Sequence, residues 1–428
     1  MRWGVEEWRS RGVEATERVF RAQYGEVLAT LLRFGGYQHF DLAEEAVQTA
    51  FQRALEKWPE AGEPQNPVGW LYTVARNAYL ETLRRARTEQ TKLAQLHEDA
   101  TLRDADFATM PEAAEVSAPP DELAAMILLC CNPELNPKAQ LCLTLKSVCG
   151  FSVKEIARAL GMQEEAAKKT ITRAKAKVAE QADELRSLNP SRIAARFQLV
   201  LDVIYAMFNE GYAASGGPTQ LRRDVAEDAI RLGDIFVQSA LTPAERQGEL
   251  QALLALMLFQ FARFDARTDE RGAPIRLQEQ DRSRWNRALI RAALLALESS
   301  RSSVQVTALH IEARIAAQHA ASPTFAQTDW SAILALYDQL LHYKESPEVR
   351  LSRIVALRHA QGWQPALGEL DQMQADTLAR SFLLHAIRAD LLEAAGQPNA
   401  AAAEWQKARL DAPTAADRLF IDQKLKEL

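Results

Sequence analysis

The chain has 428 residues, 47% of them hydrophobic and 25% charged, with a formal net charge of −6. This length exceeds what a single hydrophobic core supports, so two or three domains are expected. The longest apolar run, residues 252–259, is far shorter than the roughly 20 residues that a membrane span needs. The charged N-terminus lacks the apolar segment of a signal peptide, so we expect a cytoplasmic protein. Sparse Gly and Pro and the lack of strand alternation predict an all-α fold.

The first clearly periodic segment, residues 41–58, is predicted to be an amphipathic helix. Its apolar stripe consists of Ala43, Val47, Ala50, Ala54 and Trp58. The opposite face carries Glu45, Gln48, Gln52 and Glu56. Taken alone, such a polar face is typical of a solvent-exposed helix surface.

The next segment, QNPVGWLYTVARNAYLETLRRAR (65–87), combines an apolar stripe with a basic end. Asn66 and Pro67 are suited to begin a helix. The predicted core face contains Trp70, Leu71, Val74, Ala75 and Ala78. The opposite side carries Thr73, Arg76, Asn77, Arg84 and Arg87, with Leu80 as its one apolar residue. Such donors can bind phosphates and base edges, although a solvated helix face would have the same composition.

Residues 93–122 are acidic and contain three prolines, which is typical of a linker. The four cysteines follow within a short segment, as Cys130, Cys131, Cys142 and Cys149. No His lies among them, and their spacing is not that of a zinc site, so neither a metal nor another cofactor is expected. Buried thiols are the main interpretation, and a redox switch is the alternative.

Residues 151–178 are predicted to form two short helices around a glycine turn at Gly161. Ser152 and Glu155 have the spacing of a capping box. The second helix begins near Gln163, and its predicted apolar stripe contains Ala167, Ile171, Ala174 and Val178. Its outward side carries Glu165, Lys168, Lys169, Thr172 and Arg173, with Lys175 beside them. This pattern is typical of a DNA-binding helix-turn-helix, and a helical hairpin with solvated lysines is the alternative.

From about residue 190 onward the sequence predicts a series of amphipathic helices with short Pro or Gly breaks. After Gly396, the spacing of Ala401, Trp405, Ala408 and Pro413 is similar to a tetratricopeptide repeat. An irregular helical bundle is the alternative. The scattered histidines, such as His310 and His319, are interpreted as surface or helix-end residues. No catalytic motif is found, and GYAASGGPT (211–219) lacks the Lys of a phosphate loop, so no enzyme is expected.

The two basic segments in this order make the chain resemble a bacterial sigma factor of the extracytoplasmic-function (ECF) group. Residues 15–92 resemble region 2 of that family, and residues 123–185 resemble region 4, with 93–122 as the linker. Residues 190–428 resemble the long tetratricopeptide-like extension of one ECF subgroup, notably at FNEGYAAS (208–215) and DWSAILALYDQLL (329–341). An all-α fold of two small sigma domains followed by an array of helical hairpins is therefore expected.

The resemblance implies binding to core RNA polymerase and to promoter DNA. It assigns the −10 element to Thr73, Arg76, Asn77, Arg84 and Arg87. It assigns the −35 element to Glu165, Lys168, Lys169, Thr172 and Arg173. It places Glu45, Gln48, Gln52 and Glu56 against core polymerase.

The extension is expected to regulate the sigma domains through contacts within the chain. The promoter, the inducing signal and the oligomeric state are not predicted. Two alternatives remain at the level of sequence. One is a helix-turn-helix regulator with a helical-repeat sensor that acts without core polymerase, and the other is a scaffold or enzyme whose helices are basic by chance.

Overall fold

A computed structural model of the chain describes residues 23–94, 120–180, 190–212, 222–270, 272–373 and 382–428, with no side-chain description for 86–94. Within these ranges the regular structure consists of α-helices and short 3-10 helices, and a lone β-bridge joins Thr268 to Pro274. The predicted all-α fold is confirmed. The described residues divide into two compact units. The first comprises the chain through Arg158 with Met162–Val203 and Gln238–Pro243, and the second comprises Ala159–Gly161, Ile204–Val237 and Ala244–Leu428.

The first unit begins with helix α1, residues 23–35. It continues with α2 (Phe40–Ala61), α3 (Pro67–Ala94), α4 (Pro120–Cys130), α5 (Pro137–Ser147), α6 (Val153–Ala159) and α7 (Glu164–Glu180). Helix α8 (Pro190–Tyr212) belongs to this unit as far as Val203. The second unit contains α9 (Arg223–Gln238), α10 (Gln247–Phe261), α11 (Arg287–Ser299), α12 (Ala308–Ala321), α13 (Trp330–Tyr343), α14 (Pro347–Gln361), α15 (Trp363–Gln372), α16 (Phe382–Ala394), α17 (Pro398–Asp411) and α18 (Ala415–Glu427).

The two ends of the predicted linker are helical, because α3 extends to Ala94 and α4 starts at Pro120. Asp121 and Glu122 lie in the first turn of α4, where negative charge stabilises the positive end of the helix dipole. Residues 95–119 lie outside the described part of the chain. The acidic character of the last linker residues therefore reflects, in part, the start of a helix.

Helices α1–α3 pack directly against the block formed by α4–α7, a contact that the sequence did not predict. A Cβ atom on Gly25 of α1 would lie 2.3 Å from the backbone oxygen of Val148, so glycine is required by this close approach. Thr30 of α1 donates a hydrogen bond to Glu122 of α4 at 3.0 Å, and Arg33 forms an ion pair with the same carboxylate. The two blocks therefore form one compact unit in this structure.

The second unit is built from helices that pack against their neighbours along the chain. The run 252–259 lies in α10, a nearly fully buried helix, as predicted. Gly396 has a positive φ of 72° in the turn between α16 and α17, and these two helices pack against each other. Ala401, Trp405 and Ala408 are buried, so the hairpin predicted there is confirmed.

Two histidines of this unit occupy positions that the sequence analysis assigned to the surface or to helix ends. His310 is in the first turn of α12, but its side chain is buried and completes a capping box with Thr307. His319 lies in the last turn of α12, and burial with nearby Arg263 and Arg282 lowers its pKa to about 3. Both are therefore helix-end residues, which is one of the two expected positions, and neither side chain is exposed.

Candidate nucleic-acid interface

Helix α3 begins as predicted, with the Asn66 side chain accepting a hydrogen bond from the Gly69 backbone at 2.9 Å. Its core face is shifted from the prediction. Leu71 and Ala75 are buried, but Trp70, Val74 and Ala78 are only half-buried. The other buried positions are Tyr72, Tyr79 and Leu83. Tyrosine is amphipathic, and the sequence pattern alone did not identify these two rings as core residues.

The shift of the core face changes the environment of the candidate −10 residues. Thr73 is half-buried, and its hydroxyl donates a hydrogen bond to the backbone oxygen of Gly69 at 2.8 Å. Arg76 is half-buried beside Tyr72, where its positive charge partly offsets the pKa increase that burial causes at the Tyr72 hydroxyl. Asn77 and Arg84 are exposed, and the side chain of Arg87 lies outside the described residues. Among the four whose side chains are described, Asn77 and Arg84 are therefore the most accessible.

The helix-turn-helix segment has the predicted local geometry. The Ser152 hydroxyl accepts from the Glu155 backbone at 3.2 Å, and the Glu155 carboxylate accepts from the Ser152 backbone at 2.8 Å. Gly161 has a positive φ of 57° in the turn between α6 and α7. The stripe Ala167, Ile171, Ala174 and Val178 is buried. The five candidate −35 residues, Glu165, Lys168, Lys169, Thr172 and Arg173, are all exposed.

Lys175 does not belong to this exposed surface, although the sequence placed it beside Lys168. Its ammonium group lies 2.5 Å from the carboxylate of Glu44 and 3.1 Å from that of Asp41. Only 13% of its side chain is exposed. The lysine extends along α7 toward α2, so it joins the two blocks of the first unit.

Glu44 is the residue at this contact that the sequence analysis missed. It is 5% exposed, and the Ser147 hydroxyl lies 3.5 Å from its carboxylate in addition to the Lys175 contact. A signal was present, because Glu44 lies in an apolar series with Phe40, Val47 and Phe51 at helical spacing. A charged residue in such a series is buried only with a partner.

The polar face of α2 is accessible. Glu45, Gln48, Gln52 and Glu56 are all exposed, and the Gln52 amide donates to Glu56 at 3.3 Å. The predicted stripe on the other side, from Ala43 to Trp58, is buried and packs against α3. A ring contact of 5.5 Å between Trp58 and Trp70 contributes to this packing. The face is thus available to a partner protein.

All four cysteines are buried and none is in a disulfide, which confirms the main interpretation of that segment. Burial raises the pKa of Cys130 to about 12 and that of Cys142 to about 11, and it raises the pKa of Cys131 as well. A thiol with such a pKa holds its proton at neutral pH and reacts slowly. The redox alternative is therefore disfavoured. Within the described ranges, no group of three His, Cys, Asp or Glu side chains is arranged to hold a metal ion.

In the part of the chain that the structure describes, no helix is both long and apolar enough to cross a membrane.

The candidate nucleic-acid contacts form two surfaces of the first unit. One follows α3, and its exposed members are Asn77 and Arg84. The other follows α7, and all five of its members are exposed.

Comparison with known proteins agrees with this arrangement. Residues 19–89 match the family described as Sigma-70 region 2, and residues 125–178 match Sigma-70, region 4. Residues 196–301 match a family of unknown function, DUF6596. An uncharacterized protein of Rhizobium meliloti (strain 1021), R00370, is 35% identical over 405 residues, which cover 94% of this chain and 93% of that protein. No solved structure matches.

Regions 2 and 4 coincide with the helices that carry the two exposed donor surfaces, α3 and α7. Both matches favour promoter recognition over a regulator that acts without polymerase. The chain belongs to the sigma-70 family, as an ECF-type sigma factor with a C-terminal extension.

Proposed function

We propose that the protein binds core RNA polymerase and reads promoters with α3 at the −10 element and α7 at the −35 element. The observation that carries this proposal is the surface of α7, where five polar side chains are exposed opposite a buried apolar stripe within region 4. Lys169 and Arg173 supply donors for phosphates and base edges. Asn77 and Arg84 supply the corresponding donors on α3 within region 2. Region 2 is assigned to residues 15–92 and region 4 to residues 123–185.

The exposed polar face of α2 is the proposed contact with core polymerase. Glu45, Gln48, Gln52 and Glu56 lie opposite the stripe that packs on α3. A partner bound there would leave the exposed donors of α3 accessible to DNA. No cofactor enters this function, and the protein contributes binding energy while the polymerase supplies the chemistry.

Simultaneous reading of both elements requires the first unit to open. Elements centred near −10 and −35 are about 25 base pairs apart, which is roughly 85 Å of duplex at 3.4 Å per base pair. In this structure α7 touches α2 directly through Lys175 and Glu44. We therefore assign the observed packing to a closed state, and the 95–119 segment is long enough to connect the two regions once they separate.

The extension is proposed to control this opening through the start of α4. Asp121 accepts hydrogen bonds from the Ser239 hydroxyl at 2.6 Å and from the Ala240 backbone at 2.8 Å. Its neighbour Glu122 binds Thr30 and Arg33 of α1. Arg196 of α8 also donates to the backbone oxygen of Leu128 at 3.3 Å. Helix α4 thus contacts α1 of region 2 as well as residues of the extension, which supports regulation within the chain.

Run-off transcription with purified core polymerase and the full chain tests the proposed function. A promoter-specific product that requires the protein, together with weak binding to promoter duplex alone, is expected. Tight binding to duplex without polymerase would instead support an independent regulator.

Two variants of the full chain test the closed state in the same assay. Gly25→Ala should separate the blocks, because its methyl group collides with Val148, and we expect a larger radius of gyration with transcription retained or increased. Gly368→Ala is the matched control, since a methyl group there meets nothing within 4 Å. Loss of transcription in Gly25→Ala alone, at unchanged folded content, would show that the packed arrangement is the active one.

The role of the extension is tested by Ser239→Ala. Removal of this hydroxyl takes one hydrogen bond from Asp121, so the extension should have a weaker effect on transcription. The level of transcription by this variant should therefore differ from that of the unaltered chain. Ser302→Ala is the control, because that exposed hydroxyl bonds only within its own turn, to Ser299. Equal transcription by both variants and the unaltered chain would argue against this route of control.

A further inference from the structure

The second unit contains a cavity of about 450 Å³ that promoter recognition does not use. Side chains from α8, α10, α12, α13 and α14 line it, together with the loop that follows α10. This volume is within the range of small-molecule sites, which lie preferentially between packed elements.

The walls of the cavity are largely apolar and aromatic. They include Leu256, Phe259, Trp285, Ile315, Tyr337 and Leu340. Trp285 and Ile315 are buried, which fixes their orientation in the fold. Flat and branched side chains of this kind favour a ligand with an aromatic or hydrocarbon body.

The charged side chains that line the cavity differ in their hydrogen bonds, ion pairs and exposure to water. Glu312 accepts a hydrogen bond from the Tyr205 hydroxyl at 2.7 Å and forms an ion pair with Lys344 at 3.1 Å. Lys344 and Glu348 are exposed lining residues, so water screens their charges. These interactions leave Glu312 with little capacity for a cationic ligand.

Arg263 differs from these residues because no carboxylate of the described residues lies within ion-pair distance of it. Its Nε donates to the Tyr212 hydroxyl at 2.7 Å, which leaves the two terminal nitrogens of the guanidinium group. The side chain is half-buried. His319, which also lines the cavity, is neutral at physiological pH because its pKa is lowered to about 3. Arg263 is thus the half-buried positive charge of the lining that has no carboxylate partner among the described residues.

We propose that this cavity binds a small organic anion, with its carboxylate, sulfonate or phosphate on Arg263 and its apolar body against Phe259, Trp285 and Tyr337. A guanidinium group binds such anions through two parallel hydrogen bonds. The site would give the extension a chemical input that is independent of DNA and polymerase.

The test uses two dyes that differ by one charged group. The anionic probe is 8-anilinonaphthalene-1-sulfonate, and the neutral probe is N-phenyl-1-naphthylamine, which has the same rings without the sulfonate. Saturable binding of one anionic dye per chain, with energy transfer from Trp285, is expected for the full-length protein. Trp285→Phe should reduce the transfer.

Arg263→Gln should weaken binding of the anionic dye by about tenfold or more, which corresponds to loss of a charge-assisted hydrogen bond. The neutral dye should bind nearly as before. Arg314→Gln is the matched control, because Arg314 is an exposed residue of α12 that does not line the cavity. Tyr212→Phe removes the Nε partner of Arg263 without changing the charge, and it should retain the anionic dye.

Ala316→Leu, which reduces the cavity volume, should weaken both dyes and so tests whether they occupy this cavity. Retained binding of the neutral dye by Arg263→Gln guards against a folding defect in that variant. The proposal is overturned if the unaltered chain shows no saturable site for the anionic dye. It is also overturned if Arg263→Gln affects both dyes equally or no more than Arg314→Gln does. The measurement needs neither polymerase nor promoter, so its failure is distinguishable from failure of the proposed transcription role.

Discussion

Both compact units contain ion pairs and buried apolar side chains, but in the first unit two of the ion pairs join separate blocks of helices. In the first, charged contacts join helices that are distant in sequence, namely Lys175 with Glu44 and Arg33 with Glu122. In the second, a continuous apolar cluster extends from Ile311 through Leu391. An ionic contact can be replaced by contacts with a charged partner, whereas an apolar interface is lost only with a large free-energy cost. The opening proposed for the first unit would break these two ion pairs, whereas separating the helices of the second unit would expose its apolar cluster.

The largest expected effect concerns the exposed side of α7. The double variant Lys169→Ala/Arg173→Ala should weaken the promoter complex by about 2–6 kcal/mol, since each base-reading contact is worth about 1–3 kcal/mol. Run-off transcription at increasing promoter concentration measures the change. Lys138→Ala, an exposed residue of α5, is the control. Full transcription by the double variant would place the −35 surface elsewhere.

The inward side of the same helix should behave differently. Lys175→Met leaves Glu44 buried without its main cation, so the free energy of unfolding of the first unit should fall by about 3 kcal/mol. Adding Glu44→Gln should recover part of the loss, because the buried charge is then removed. Urea denaturation measures both effects.

Lys177→Met provides the control for that prediction. Lys177 lies on the same helix and forms its ion pair with Glu134 at 2.8 Å in exposed surroundings, so little change in stability is expected. Equal losses in Lys175→Met and Lys177→Met would mean that the Glu44 contact is no more than a surface ion pair.

The sequence predicted most of what depends on local periodicity. The capping box at Ser152, the turn at Gly161 and the buried stripe of α7 all follow from residues close together in the chain. The buried face of α2 was predicted for the same reason, because the apolar pattern and the helical period determine which side chains are buried. Helix α10 was predicted as a core helix from its continuous apolar run.

The errors come from contacts between distant segments. Lys175 was grouped with the exposed lysines because its partner, Glu44, lies 131 residues away in sequence. The core face of α3 was misplaced because Tyr72 and Tyr79 are buried, and the Tyr79 hydroxyl donates to the distant Gly35 of α1 at 3.1 Å. The cavity in the extension draws its walls from five helices, so no local pattern indicates it. The assigned roles of the DNA and polymerase contacts remain predictions.

The stability of the second unit should depend on pH through two buried histidines. Burial and nearby positive charges lower the pKa of His319 to about 3 and that of His359 to about 4, in a cluster with Trp330 and Phe325. In the unfolded chain these imidazoles take up protons near pH 6.5, so stability is fully present above that pH and falls as the pH decreases. At pH 5 the loss from His319 should be about 1–2 kcal/mol.

The variant His319→Phe/His359→Phe should have a smaller difference in the free energy of unfolding between pH 7 and pH 5. Other titrating groups are common to both proteins, so the change in slope isolates the two imidazoles. An unchanged slope would show that these rings are as accessible to protons in the folded state as in the unfolded chain.

The smallest expected effect on promoter binding is that of Thr73→Val, which is compared with a change at Asn77, one helical turn further along α3. Thr73→Val removes a hydroxyl that already donates to the Gly69 backbone, so the promoter complex should change by less than about 0.5 kcal/mol. Asn77→Ala removes an exposed amide and should cost about 1–3 kcal/mol if that amide reads a base. Transcription from one promoter with the same core polymerase compares them directly. A larger loss for Thr73→Val would mean that α3 rotates or unwinds on DNA so that this hydroxyl exchanges its backbone partner for a nucleotide, and the closed state would then differ from the active one within region 2 as well as between the regions.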